Sequence, residues 1–152
     1  MPDEMFPIVQ ATTDEVGQLA ELLGILFAQE AEFSPDRRRQ ERALNLIVEQ
    51  AATGRIYCAR DGVRVVGMVN LLFTLSTAEG GRVAWLEDLV VHPEYRGRGV
   101  GRSLLRHAIQ VAKDTGCSRI TLLTDPTNES AIRLYQGEGF RRSQMVPFRL
   151  TP

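Results

Sequence analysis

Apolar residues recur along this chain with two different periods, and the changes of period divide it into elements. A short apolar run at residues 7–10 reads as a strand. Thr12 and Glu15 follow at capping-box spacing, each side chain serving the other's backbone donor. Val16, Leu19, Ala20, Leu23, Leu26 and Phe27 then fall on one helical stripe. Ser34-Pro35 opens a second helix, with proline where a missing N–H costs nothing. That helix carries Ala43, Leu44, Ile47 and Ala51 and stops at Gly54.

From residue 55 the period shortens to two. Residues 55–60 and 63–73 read as strands joined by Asp61-Gly62, a strong hairpin signal. Residues 83–91, after Gly80-Gly81, form another strand. Its alternation puts Val83, Trp85, Glu87, Leu89 and Val91 on one face and Ala84, Leu86, Asp88 and Val90 on the other. Both faces are apolar except at the adjacent carboxylates, as expected of a central strand. Desolvation there raises a carboxylate's pKa, which makes Glu87 a candidate base and Asp88 the alternative. An ion pair with one of the many arginines is the competing reading of either residue. A bulge, common beside active sites, would break the parity.

A glycine-rich loop comes next, then a helix carrying Val100, Leu104, Leu105, Ala108, Val111 and Ala112 that ends near Gly116. Residues 120–123 read as a strand, 128–136 as a short helix and 140–150 as a final β segment. The order β-α-α-β-β-β-α-β-α-β predicts an α/β (α+β) fold: a mixed, mostly antiparallel twisted sheet flanked by helices. No repeat or composition shift marks a boundary, so residues 1–152 are read as a single domain.

Composition narrows the classes. With 152 residues, 43% of them hydrophobic and 24% charged, the chain can bury a core of its own. A net charge of −1 argues against a nucleic-acid partner. No apolar run approaches membrane-spanning length, and the acidic start MPDEMFPIV lacks an apolar signal core. The expectation is a cytoplasmic protein with neither membrane nor nucleic-acid partner. Cys58 and Cys117 are too few for a thiolate metal site or a disulfide framework and read as core fillers, so no metal is expected.

The loop Glu94-Tyr95-Arg96-Gly97-Arg98-Gly99-Val100-Gly101-Arg102-Ser103 is the chain's clearest chemical signal. A strand, a glycine turn and a helix start together make an anion site, because the first helical N–H groups lack partners and the dipole favours negative charge. A P-loop is excluded because no lysine follows these glycines. A Rossmann fingerprint fails at its third glycine, where Arg102 stands, and would open on the first strand of the fold. Taken alone, the loop could also be a solvated turn that merely starts a helix.

What fits is Arg96-x-x-Gly99-x-Gly101, which resembles the acetyl-CoA signature of the GNAT superfamily of N-acetyltransferases. The run Leu86-Glu87-Asp88-Leu89-Val90-Val91-His92-Pro93-Glu94-Tyr95 is similar to the strand and turn that lead into that signature. Asn128, Ala131, Leu134-Tyr135 and Gly139-Phe140 match the superfamily's second pattern at its spacing, and the element order matches as well. The motifs cover roughly residues 85–140; before them only the layout agrees. The resemblance implies acetyl-CoA as donor and an amine of a small molecule or peptide as acceptor, with homodimers common. It implies that Gly97, Arg98, Gly99, Val100, Gly101, Arg102 and Ser103 hold the pyrophosphate with Arg96. Leu89, Val90 and Val91 would lie along the pantetheine arm, and Asn128 would contact the donor while capping its helix. Tyr135 would protonate the departing thiolate, and Glu87 would deprotonate the amine. A coenzyme A-binding module without catalysis, and a protein N-terminal or lysine acetyltransferase, are the alternatives. The joint presence of Glu87 and Tyr135 argues against the first. His92 and His107 read as structural or solvated, His107 on the polar face of its helix. The acidic stretch at residues 29–36 reads as a solvated linker that could also attract a cationic amine.

Overall fold

The computed structural model describes residues 6–30 and 32–152. The acidic start before Phe6, and Ala31 in the linker, lie outside the described residues. β1 (Ile8–Gln10) is followed by a 3-10 turn at Thr13–Glu15, then α1 (Val16–Gln29) and α2 (Arg37–Glu49). β2 (Gly54–Asp61), β3 (Arg64–Ser76) and β4 (Gly81–Val91) form the long antiparallel centre. A second 3-10 turn, Pro93–Tyr95, leads to α3 (Val100–Asp114), β5 (Ile120–Leu122) and α4 (Glu129–Gly137). The sheet order is β1-β2-β3-β4-β5, antiparallel except where β5 runs parallel to β4. The expected mixed sheet with flanking helices is therefore present. Among the described residues, no helix is long and apolar enough to cross a membrane.

Both sheet faces are covered, as the two-sided apolar pattern of β3 and β4 requires. On one face α3 lays Val100, Leu104, Leu105, Ala108 and Ala112 against Tyr57, Val66, Val69, Leu71, Ala84 and Leu86. Each such leucine contributes roughly 1.5–3 kcal/mol by leaving water. The helix sits so close to β3 at Gly67 that an added Cβ would lie 2.9 Å from Leu104 Cδ1. On the other face α1 and α2 bury Leu19, Leu22, Leu23 and Leu44 against Ile56, Cys58, Met68 and Val90.

The capping box forms: Glu15 accepts from the Thr12 N–H at 3.3 Å and from its hydroxyl at 2.6 Å. Glu15 is buried and ion-paired with Arg60 of β2, which ties the start of α1 to the sheet. Burial would raise its pKa, but the Thr12 bonds and Arg60 together outweigh that and leave it lowered.

Five expectations need correction. Residues 140–150 form no strand: residues 141–152 are exposed, Phe148 and Leu150 to 96% and 87%. An alternating pattern cannot by itself supply the neighbouring edge a strand must pair with. Ala51 lies beyond α2, and Val63, 91% exposed, belongs to the turn rather than to β3. His107 is not on a polar face; its ring packs edge-on to Tyr57 with centroids 4.6 Å apart, and burial lowers its pKa. The face assignment in β4 also fails past residue 87, because the strand bulges. Glu87 pairs with Asn70 and Val90 with Met68, so Asp88 and Leu89 together oppose Val69 alone. Leu89 and Val91 consequently turn toward α3, and Val90 joins the α1–α2 side.

Candidate active site

The bulge and the glycine loop lie at the two ends of one short path, the last residues of β4. β5 pairs with β4 only at Ala84, Trp85 and Leu86, so among the described residues β4 has no partner strand on that side from Glu87 to Val91. Leu89, Val90 and Val91 line this opened edge. An extended ligand could pair there as an added strand would.

Beyond the edge, Gly99 caps α3 in a left-handed conformation at φ +82°, which glycine adopts without the steric cost a Cβ would bring. An added Cβ there would point into open space. The amides of Gly97, Arg98, Gly99, Val100, Gly101 and Arg102 donate to no group among the described residues; the first helical bond runs from the Ser103 N–H to Gly99 O, at 3.0 Å. The turn therefore presents consecutive free donors at a positive helix end, and it fits a diphosphate.

The arginines of this turn are held. Arg96 Nε donates to Val91 O at 3.1 Å and ties the turn to β4. The Arg98 guanidinium lies 5.1 Å from the Tyr95 ring centre, and Arg102 Nε is 3.7 Å from Glu138 Oε1. Tyr95 itself is buried and its hydroxyl donates to Asp61 Oδ2 at 2.6 Å, so the β2–β3 turn anchors the loop. Sequence reasoning gave Asp61 only a turn role, and nothing in its spacing signals the tyrosine partner.

Around the bulge, the two carboxylates part company. Glu87 is exposed. The desolvation expected there falls on Asp88, whose backbone sits at φ +56° and whose carboxylate is turned inward. Burial pushes the Asp88 pKa up to about 6; the bond from Asn70 opposes this, while the charges of Glu87 and Glu30 add to it. Asn70 Nδ2 donates to Asp88 Oδ2 at 3.3 Å. Asn70 is 2% exposed and was missed, although a lone amide in the apolar run of β3 is a readable signal. Together they line a cavity of about 230 Å³ between the sheet and α1–α2.

Tyr135 is half-buried on α4, edge-on to Phe140 with centroids 5.9 Å apart. Burial, and then the charge of Glu30, push its pKa up to about 12. Glu30 thus feels the same neighbourhood as Asp88 and Tyr135, which links the α1 end to the bulge and α4. Asn128 caps α4: its Oδ1 accepts from the Ala131 N–H at 3.2 Å, leaving the amide Nδ2 as donor.

A family model described as Acetyltransferase (GNAT) family matches residues 19–140. Thialysine N-epsilon-acetyltransferase of Bos taurus is 40% identical over 78 residues, 51% of this chain and 45% of that protein. Glucosamine 6-phosphate N-acetyltransferase of Trypanosoma brucei brucei is 32% identical over 88 residues, 57% of this chain and 58% of that one. The chain spans about half the length of the curated relatives it matches. A crystal structure of a probable acetyltransferase agrees with a TM-score of 0.80 at 28% identity, across 96% of this chain and 97% of that one.

Proposed function

The chain belongs to the acetyltransferase (GNAT) family, and on that premise we propose that it moves the acetyl group of acetyl-CoA to a primary amine by direct attack in a ternary complex. The observation that carries this reading is the run of partnerless amides from Gly97 to Arg102 at the start of α3. The donor would supply an activated thioester, and every other contribution comes from the chain. The loop amides from Gly97 to Arg102 and the remaining N–H groups of Arg96, Arg98 and Arg102 hold the diphosphate, while the Ser103 N–H is taken by Gly99 O. The free edge at Leu89, Val90 and Val91 orients the arm, with Asn128 Nδ2 as a further donor. A β4 backbone N–H beside the bulge stabilises the oxyanion.

An acceptor amine is protonated at neutral pH, with a pKa of about 10 if it resembles lysine. Entry into a desolvated cavity lowers that value. The proton passes to a carboxylate of the bulge; burial favours Asp88, with Glu87 the alternative, directly or through water. Tyr135 holds its proton across the working range and gives it to the leaving sulfur. Burial raises a thiol's pKa as it raises a phenol's, so the two stay matched in one pocket. Positioning supplies much of the acceleration.

Acetyl-CoA-dependent thiol release, measured with a panel of small amines and peptides, tests this. Release with at least one acceptor is expected. Gly99→Asp places a carboxylate where the diphosphate goes and should abolish both turnover and the heat protection given by coenzyme A. Undiminished protection of that variant would remove the loop from the donor site. Protection of the wild type without thiol release from any amine would leave a coenzyme-binding module in place of an enzyme.

A further inference from the structure

The cavity beside the bulge is graded from polar floor to apolar wall to charged mouth. Asn70, Leu23 and Leu44 are buried in it. Phe27, Ala43 and Ile47 continue the apolar wall outward. Arg39, whose side chain is 80% exposed and lies 3.5 Å from Asp36 Oδ2, stands at the mouth. The floor has an unmet need. Asp88 is acceptor-only when ionised, so it turns the Asn70 amide nitrogen toward itself and leaves Asn70 Oδ1 with no donor. A buried acceptor without a partner is costly and rare in folded proteins.

The charges around the floor share one sign. Burial raises the Glu30 pKa, and the charges of Asp125, Glu87 and Glu32 add to it. Glu32 pairs with Arg149. None of Glu30, Glu87 and Asp125, nor Asp88, has an ion-pair partner among the described residues. A carboxylate and an orphaned amide oxygen side by side call for a ligand with several N–H donors and a positive charge. Between the floor and Arg39 the lining is apolar except for Gln40, whose Oε1 already accepts from the Asp36 N–H at 3.0 Å.

We propose that this cavity selects a primary amine with an apolar body and no second cationic centre, its ammonium donating to Asn70 Oδ1 and to the Asp88 carboxylate. The assignment of this ligand as acceptor rests on the acetyl-transfer reading above. With Gln40 as the one polar group of the walls, most sugar hydroxyls are left unpaired, and Arg39 at the mouth repels a second ammonium. Asn70 is then a specificity residue, acting on the acceptor and not on the donor.

Two measurements on the full chain test the idea separately from turnover. Calorimetric titration of the coenzyme-free protein compares isopentylamine and 2-phenylethylamine with glucosamine 6-phosphate and spermidine. The apolar amines should bind at least tenfold more tightly than either comparison ligand; equal or tighter binding of the sugar phosphate or the polyamine overturns the proposal, as does the absence of binding by all four. Asn70→Leu keeps the shape and removes the orphaned acceptor. It should keep or raise the melting temperature while weakening the apolar amines about tenfold, with the KM for acetyl-CoA unmoved. A variant that loses stability and binds amines as before would make Asn70 merely structural. Arg39→Glu, on an exposed helix position, should raise spermidine binding several-fold relative to 2-phenylethylamine; no change refutes the role of the mouth. If amines bind in this Asn70-dependent way but no acetyl transfer occurs, the cavity assignment stands and the enzymatic reading falls.

Discussion

Two carboxylates are turned in against this sheet, Glu15 buried and Asp88 half-buried, and they sit in opposite electrical situations. Glu15, at the start of α1, accepts from Thr12 twice and pairs with Arg60, and its pKa is lowered despite burial. Asp88, at the β4 bulge, receives one bond from a neutral amide, and burial takes its pKa to about 6. The first is completed by the fold and holds it together. The second is left incomplete by the fold and is available to a ligand. Burial is common to both; partners make the difference.

The largest expected effect breaks the structural member of the pair. Glu15→Ala leaves Arg60 without its carboxylate and removes the cap, and should cost about 3 kcal/mol in denaturant unfolding, the low end for a buried pair because Arg60 is partly exposed. Turnover by the molecules that remain folded should be unchanged. Because the Glu15 pKa is lowered on folding, its contribution is present above the ordinary carboxylate range and is lost as pH falls through it. The acid limb of unfolding should therefore flatten in the variant.

Asp88→Asn should do the reverse. Loss of a general base lowers kcat about a hundredfold, read by thiol release. Stability should rise: the folded Asp88 binds its proton more tightly than the unfolded one, with a pKa of about 6 against an ordinary 3.8. The wild type thus loses up to about 3 kcal/mol as pH climbs through that window, and the asparagine variant does not. The gain in melting temperature should be full above pH 6 and absent below about pH 4. A loss of stability at pH 7.5 would mean that Asp88, like Glu15, is held by partners.

Tyr135→Phe should lower kcat on the order of tenfold while leaving acetyl-CoA affinity nearly intact; an unchanged kcat removes the phenol from the mechanism. The smallest effect separates the adjacent carboxylates. Glu87→Gln, at an exposed site, should change kcat by no more than a few-fold. A hundredfold loss there with a mild Asp88→Asn would return the base to Glu87.

Much of this architecture is local and therefore readable from the chain. The capping box at Thr12 and Glu15, the Asp61-Gly62 turn, the α3 stripe and the glycines before it each depend on residues a few positions apart. That locality is why the element order up to α4 and the glycine loop are legible in the chain, and why the resemblance that implies the donor rests on them. Contacts between strands were not legible. Alternation assumes an unbroken ladder, and the one extra residue opposite Val69 reverses every face beyond it. The same bulge exchanges the roles of two neighbouring carboxylates, exposing Glu87 and turning Asp88 toward Asn70, a residue 18 positions away. An alternating tail at residues 140–150 likewise promises a strand, yet it pairs with no described strand and lies exposed beside a sheet that ends at β5, because alternation alone does not bring a segment to an edge. The sequence by itself determined the elements and the loop, because backbone conformation and helix capping are decided by near neighbours. Only the tertiary structure decided which acid is desolvated and which polar atom is left without a partner, because both depend on what distant segments bring beside it.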